Sequence, residues 1–137
     1  MSPYLPITPQ QLIDEILAVN EAGGSVAHLH VRDPENGIPT ADQDVFREIP
    51  TEVKKHCDII LCTTTGARLG EPVEKRVHVV STLKPELASL NTGSLNFALF
   101  HIVDHYKDWK YEWEKEYLEN SEDAIFPNTF KTMRHIL

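Results

Sequence analysis

A helical pattern followed by a short β-branched run occurs three times in the first two-thirds of this chain, and that alternation limits its fold more than any other feature. Alternating helices and strands imply βα units around a parallel sheet. In the first unit Thr8 can cap, Pro9 suits the first helical position and Gln11 completes a capping box. Leu12, Ile13, Ile16, Leu17 and Val19 then share a face, and Gly23-Gly24 end the helix. Ser25 to Val31 is short, β-branched and bounded by glycines and Asp33-Pro34, the signature of a strand.

The second unit is expected to start a helix at Thr40, with Gln43 as capping partner, burying Val45, Phe46, Ile49 and Val53. Pro50 inside that pattern predicts a kink or a split. Asp58 to Cys62 reads as the next strand, followed by a Thr-Thr-Thr-Gly loop. Pro72 opens a third helix carrying Val73, Val77 and Val80, and Leu87 to Leu90 is a third strand. The expectation is therefore three parallel strands near residues 25–31, 58–63 and 86–91, with helices between them on one side.

Residues 97–125 do not continue the alternation. Their aromatics fit helical spacing at Ile102, Tyr106, Trp109, Trp113 and Tyr117, and strand spacing at Trp109, Tyr111 and Trp113. Period alone does not separate the two. Bulky aromatics among Lys and Glu read as an arm, an insertion over residues 96–126, that docks on another surface. Residues 128–137 return to a helical pattern, and the whole is expected to form one domain fragment over residues 1–137.

The net charge of −8 argues against binding nucleic acid or an anionic membrane surface, which needs clustered positive charge. No apolar run reaches the roughly 18 residues of a membrane span, and the first residues have neither the basic region nor the apolar core of a signal peptide. Two cysteines, Cys57 and Cys62, build neither a disulfide framework nor a zinc ribbon, so reduced thiols and a cytoplasmic location are expected.

His28 and His30 are the sharpest chemical feature. Residues two apart on a strand point to one side, so both imidazoles share a face, with Arg32 next on it. A parallel strand buried on both faces should be apolar on both; this one is not. Two imidazoles at this spacing are a common part of a zinc site, and the alternative is a hydrogen-bonded structural pair. Thr64, Thr65 and Gly66 follow the second strand, and Ser89, Asn91 and Thr92 end the third. Those are the C-terminal strand ends where α/β folds place active sites. Their hydroxyls and amide could orient a carboxylate or carbonyl oxygen, or simply close turns and cap helices.

Leu5 to Pro9, then His28 to Pro34 (HLHVRDP), Thr64-Thr65-Gly66 with Gly70 and Lys75-Arg76, and finally Lys84 to Phe97 (KPELASLNTGSLNF) together resemble the β-keto acid cleavage enzymes, whose founding activity is 3-keto-5-aminohexanoate cleavage. The aromatic arm and the following Ile125 to Phe130 resemble one subgroup, which commonly carries a charged residue where Pro127 stands. The resemblance implies a (β/α)8 TIM barrel with one zinc or similar divalent ion, often a homotetramer. It also implies a cytoplasmic transferase of amino acid catabolism, converting a β-keto acid and acetyl-CoA to acetoacetate and a new acyl-CoA. Carried onto this sequence, it makes His28 and His30 the metal ligands and Thr64, Ser89 and Asn91 catalytic, with Arg32, Thr65, Gly66 and Thr92 binding substrate. A whole barrel takes roughly 250 residues, so 137 residues are expected to be its N-terminal portion: three βα units, without the third metal ligand, a glutamate, or the catalytic acid and arginine. Two other readings stay open: a catalytically inactive truncated or split product acting only in assembly, and a barrel metal-dependent hydrolase.

Overall fold

The structure is a computed structural model and describes residues 4–137; the first three residues, part of the stretch read for a leader, lie outside it. It forms two compact units, Pro6–Leu90 and Asn91–Leu137, the latter joined by Tyr4 and Leu5.

In the first unit, α1 (Pro9–Glu21) begins at the expected capping box: the Gln11 amide donates to Thr8 Oγ1 at 3.2 Å, and the Thr8 amide donates to Gln11 Oε1 at 3.0 Å. Leu12, Ile13 and Ile16 are buried as expected, but Val19 is 42% exposed. At this last turn the chain folds back, and the Gly24 amide bonds to the Val19 carbonyl at 2.8 Å. A Cβ on Gly24 would meet that same oxygen at 2.8 Å, so only glycine fits there.

Three strands follow: β1 (Val26–Leu29), β2 (Ile60–Thr63) and β3 (Leu87–Ala88). They pair in parallel in the order β1-β2-β3, as expected. Between them lie α2 (Gln43–Val53) and α3 (Val73–Leu83). α2 starts three residues later than Thr40, because Asp42 is the better cap: its Oδ1 accepts the amides of Asp44 at 2.9 Å and Val45 at 3.2 Å. Thr40 instead accepts the Asp42 amide at 3.1 Å. Pro50 does not split α2, which runs on to Val53; Pro50 removes only one backbone donor, three residues before the helix ends. In α3 the buried face is Arg76 and Val79 rather than Val73, Val77 and Val80. That one-residue rotation turns a guanidinium into the interior.

Ala27, Leu29, Val31, Ile59 and Leu61 of the sheet layer pack against Leu12, Ile13, Ile16, Phe46, Ile49, Val53 and Val79 of the helices. Alternating sheet residues face the other way: Val26 is 46% exposed, Ile60 37% and Leu87 46%. All helices of this unit thus cover one sheet face, which makes it an α/β layer.

In the second unit β4 (Leu95–Asn96) pairs antiparallel with β5 (Ile125–Phe126). The ambiguous aromatic stretch is helical only in part: a 3-10 segment Phe100–His105 holds Ile102, α4 (Glu112–Glu119) holds Trp113 and Tyr117, a second 3-10 segment spans Asn120–Asp123, and Tyr106, Trp109 and Tyr111 lie in the irregular chain before α4. Glu114 decides the start of α4, its buried carboxylate accepting the amide of Lys110 at 3.0 Å. Much of the aromatic surface packs on itself, with Trp113 between Tyr111 (ring centroids 6.2 Å) and Tyr117 (6.0 Å). α5 (Phe130–Ile136) is capped by Thr129. No helix among the described residues is long and apolar enough to cross a membrane.

Candidate active site

Strands of a parallel sheet all end at one edge, and β1, β2 and β3 bring the candidate residues of the first unit there. The register pairs His28 with Cys62 and Cys62 with Leu87. Two residues further on, His30, Thr64 and Ser89 continue those rows. The ladder extends with them, the Thr64 amide donating to the Leu29 carbonyl at 3.2 Å and the Ser89 amide to the Thr63 carbonyl at 3.0 Å.

His28 and His30 alternate with buried Ala27, Leu29 and Val31, so both imidazoles emerge on the face away from the helices. Their ring centroids lie 4.9 Å apart with planes at 77°. Two imidazoles sharing a tetrahedral ion at Zn–N distances near 2.1 Å would place their centroids about 5 Å apart, so the pair fits one ion. Burial, then repulsion from His28 and from Arg32, lowers the pKa of His30. That favours the neutral ring, which is the ligating form. Among the described residues no group of three or more His, Cys, Asp or Glu could hold a metal, so this pair would supply two ligands.

Arg32 directs one guanidinium nitrogen to the Gly37 carbonyl at 2.8 Å and pairs with Pro39 across an isolated antiparallel bridge. It thereby closes the turn after β1, in which Gly37 takes a φ of 71° that a side chain would resist.

Thr65 is 1% exposed. Its amide donates to Ser89 Oγ at 3.0 Å and its hydroxyl to the Ser89 carbonyl at 2.8 Å. Its own carbonyl accepts from Arg76 Nε at 2.8 Å. This residue is a joint between two strand ends and a helix. Thr64 Oγ1 accepts the Gly66 amide at 3.0 Å and reaches the Gly66 carbonyl at 3.2 Å. Asn91, half-buried, and Thr92, exposed, lie in the other unit.

Hydrophobic periodicity gave no role to Arg76. The available signal was a charge at a position that a frame shifted by one residue, with Val79, would bury.

The sequence profile of the β-keto acid cleavage enzymes matches residues 1–137. The chain is 45% identical over 137 residues to a 3,5-dioxohexanoate:acetyl-CoA acetone transferase of Paraburkholderia graminis, covering all of this chain and 44% of that protein. It is 38% identical over 97 residues to a 3-keto-5-aminohexanoate cleavage enzyme of Acetoanaerobium sticklandii, covering 70% of this chain and 35% of the relative. A 3-dehydrocarnitine:acetyl-CoA trimethylamine transferase of Rhizobium meliloti is 29% identical over 123 residues, covering 74% of this chain and 41% of the relative. The chain therefore spans less than half the length of these relatives.

Proposed function

This chain belongs to the β-keto acid cleavage enzyme family, and from that premise we propose that it carries the metal-binding strand and hydroxyl groups of an enzyme that exchanges acyl groups between a β-keto acid and acetyl-CoA. The observation that carries this reading is the His28–His30 pair beside Thr64 and Ser89 at one sheet edge, in a chain matched over its whole length by the family.

In the proposed reaction the bond between the keto carbon and the adjacent methylene carbon breaks. The two-carbon acid unit takes the acetyl group of acetyl-CoA and leaves as acetoacetate, and the remaining acyl group goes to the CoA thiol. His28 and His30 would hold a divalent ion, which when bound would supply Lewis acidity toward the keto oxygen. The residues of this chain orient and neutralise. The Thr64 hydroxyl sits on the row of His30 and donates to the developing oxyanion. The Ser89 oxygen accepts from the Thr65 amide, and its proton, whose neighbour Thr65 Oγ1 stands 3.5 Å away, would turn to a substrate carboxylate that comes closer. Arg32 provides positive charge in the turn after β1; with part of its fork closing that turn, its field rather than a full bidentate clamp would act on the carboxylate. On the resemblance alone, Asn91 keeps a catalytic role and Thr65, Gly66 and Thr92 bind substrate.

A second reading is favoured by the exposed apolar side chains Val26, Ile60 and Leu87 on the sheet face that carries His28. On that reading these 137 residues associate with further sequence or with copies of themselves, as a homo-oligomer or a split (β/α)8 barrel, and do not turn over alone.

The test is to incubate the chain with zinc, acetyl-CoA and a panel of β-keto acids, following acetoacetate and the new acyl-CoA together. Equal formation of both, abolished in His28→Ala, supports the reaction. Absence of both from every substrate, at concentrations where the chain is self-associated, decides for the second reading, in which these residues do not turn over alone.

A further inference from the structure

Among the described residues, Arg76 is the buried side chain with permanent positive charge, at 2% exposure. Hydrophobic packing alone would put an aliphatic residue at this position of α3, and burying a cation is costly unless a strong acceptor receives it. Burial itself lowers its pKa.

Part of its reward is the Thr65 carbonyl, 2.8 Å from Nε. That carbonyl belongs to the same peptide group as the Gly66 N–H, which donates to Thr64 Oγ1 at 3.0 Å. The bonds therefore run in series, from guanidinium to peptide oxygen and from peptide N–H to hydroxyl oxygen. A cation on an amide oxygen draws electrons through the amide and strengthens its N–H as a donor. A hydroxyl that accepts a stronger bond becomes a stronger donor in turn. The Thr64 hydroxyl, 7% exposed, donates to the Gly66 carbonyl at 3.2 Å, longer than the usual O–H···O range, so a ligand oxygen that came closer would take that proton.

We propose that Arg76 acts through the Thr65–Gly66 peptide to raise the donor strength of the Thr64 hydroxyl, making it a positioning residue for the oxyanion that forms at the sheet edge. This rests on the function proposed above for Thr64. A merely structural role, tying α3 to the end of β2, makes different predictions.

The first arm needs no turnover. In the 137-residue chain, the Gly66 amide is followed by NMR in the parent, Arg76→Lys and Arg76→Gln, with the Ile49 and Val53 amides as the check on folding. Removing the charge should move the Gly66 proton upfield and speed its exchange about tenfold, the size of effect a weakened charge-assisted bond gives. Arg76→Lys should restore much of both. A Gly66 amide that does not respond overturns the proposal. If Arg76→Gln unfolds the chain, Arg76→Lys decides: Gly66 must shift while Ile49 and Val53 do not.

The second arm uses the zinc-loaded chain with acetyl-CoA and a β-keto acid. Arg76→Gln should lower kcat about tenfold with KM unchanged, less than the ~100-fold expected for losing a direct oxyanion donor. In a Thr64→Val background the same change should cost nothing more. Equal losses in both backgrounds overturn the proposal in favour of a structural role. A responsive Gly66 amide in a chain that never turns over upholds the coupling and shows that these residues do not turn over alone.

Discussion

Thr65 donates two hydrogen bonds to Ser89, from its amide to the hydroxyl oxygen at 3.0 Å and from its hydroxyl to the carbonyl at 2.8 Å. They lie where the sheet most needs them. β2 and β3 share only the Cys62–Leu87 and Thr63–Ala88 pairs, so the side chain of Thr65 extends a ladder that the backbone leaves short. Thr65→Val keeps the shape and deletes the hydroxyl. With the Ser89 carbonyl left without that donor, the loss should be about 1–3 kcal/mol in urea unfolding. A change near zero would show that the strand ends are held by other contacts.

Lys84 caps the C-terminus of α3 in the left-handed region, at φ 48° and ψ 60°. A Cβ in that region costs roughly 1–2 kcal/mol, and glycine carries none. Lys84→Gly should therefore raise the melting temperature, with a net gain of about 1 kcal/mol after the added freedom of the unfolded chain. A lower melting temperature would mean that the lysine side chain contributes more than its backbone costs.

Zinc titration tests the histidine pair directly. The parent should bind zinc weakly, since two imidazoles fall short of the usual three protein ligands, and His28→Ala and His30→Ala should each abolish binding. Affinity should fall with pH as protons compete for the rings. Because the pKa of His30 lies below the ordinary 6.5, that ring should join the competition only at lower pH than a free histidine would. Variants that bind as the parent does would make both histidines structural.

Glu86 accepts from Lys54 Nζ at 2.8 Å, and that bond, followed by one from the Leu61 amide, lowers its pKa from the ordinary 4.5. A carboxylate with a depressed folded pKa adds stability above its unfolded value and loses it as pH falls through the folded one. Glu86→Gln should thus be slightly less stable than the parent at pH 7, with the two urea midpoints converging below pH 4.5. The difference should be small, because both groups are solvent-exposed. A gap that does not shrink at all as the pH falls below 4.5 would assign the effect to packing instead.

Local rules carried much of this fold. Thr8, Pro9 and Gln11 announced α1, and the alternation of apolar runs announced three parallel strands, because caps and periodicity act over three or four residues and travel with the sequence. Period two also placed His28 and His30 on one face. The start of α2 was less legible, since Thr40 and Asp42 both cap well and the difference lies in which amides each oxygen reaches. The aromatic stretch was ambiguous because its spacing satisfied two periods at once; the buried Glu114 cap settled only where α4 begins, and Trp109 and Tyr111 joined neither a helix nor a strand. What only the tertiary structure decided was the set of bonds joining Arg76, Thr65, Thr64 and Ser89. These partners come from β2, α3 and β3, and no periodicity links them. Their geometry exists only once the strand register is set and α3 has turned its charged side inward.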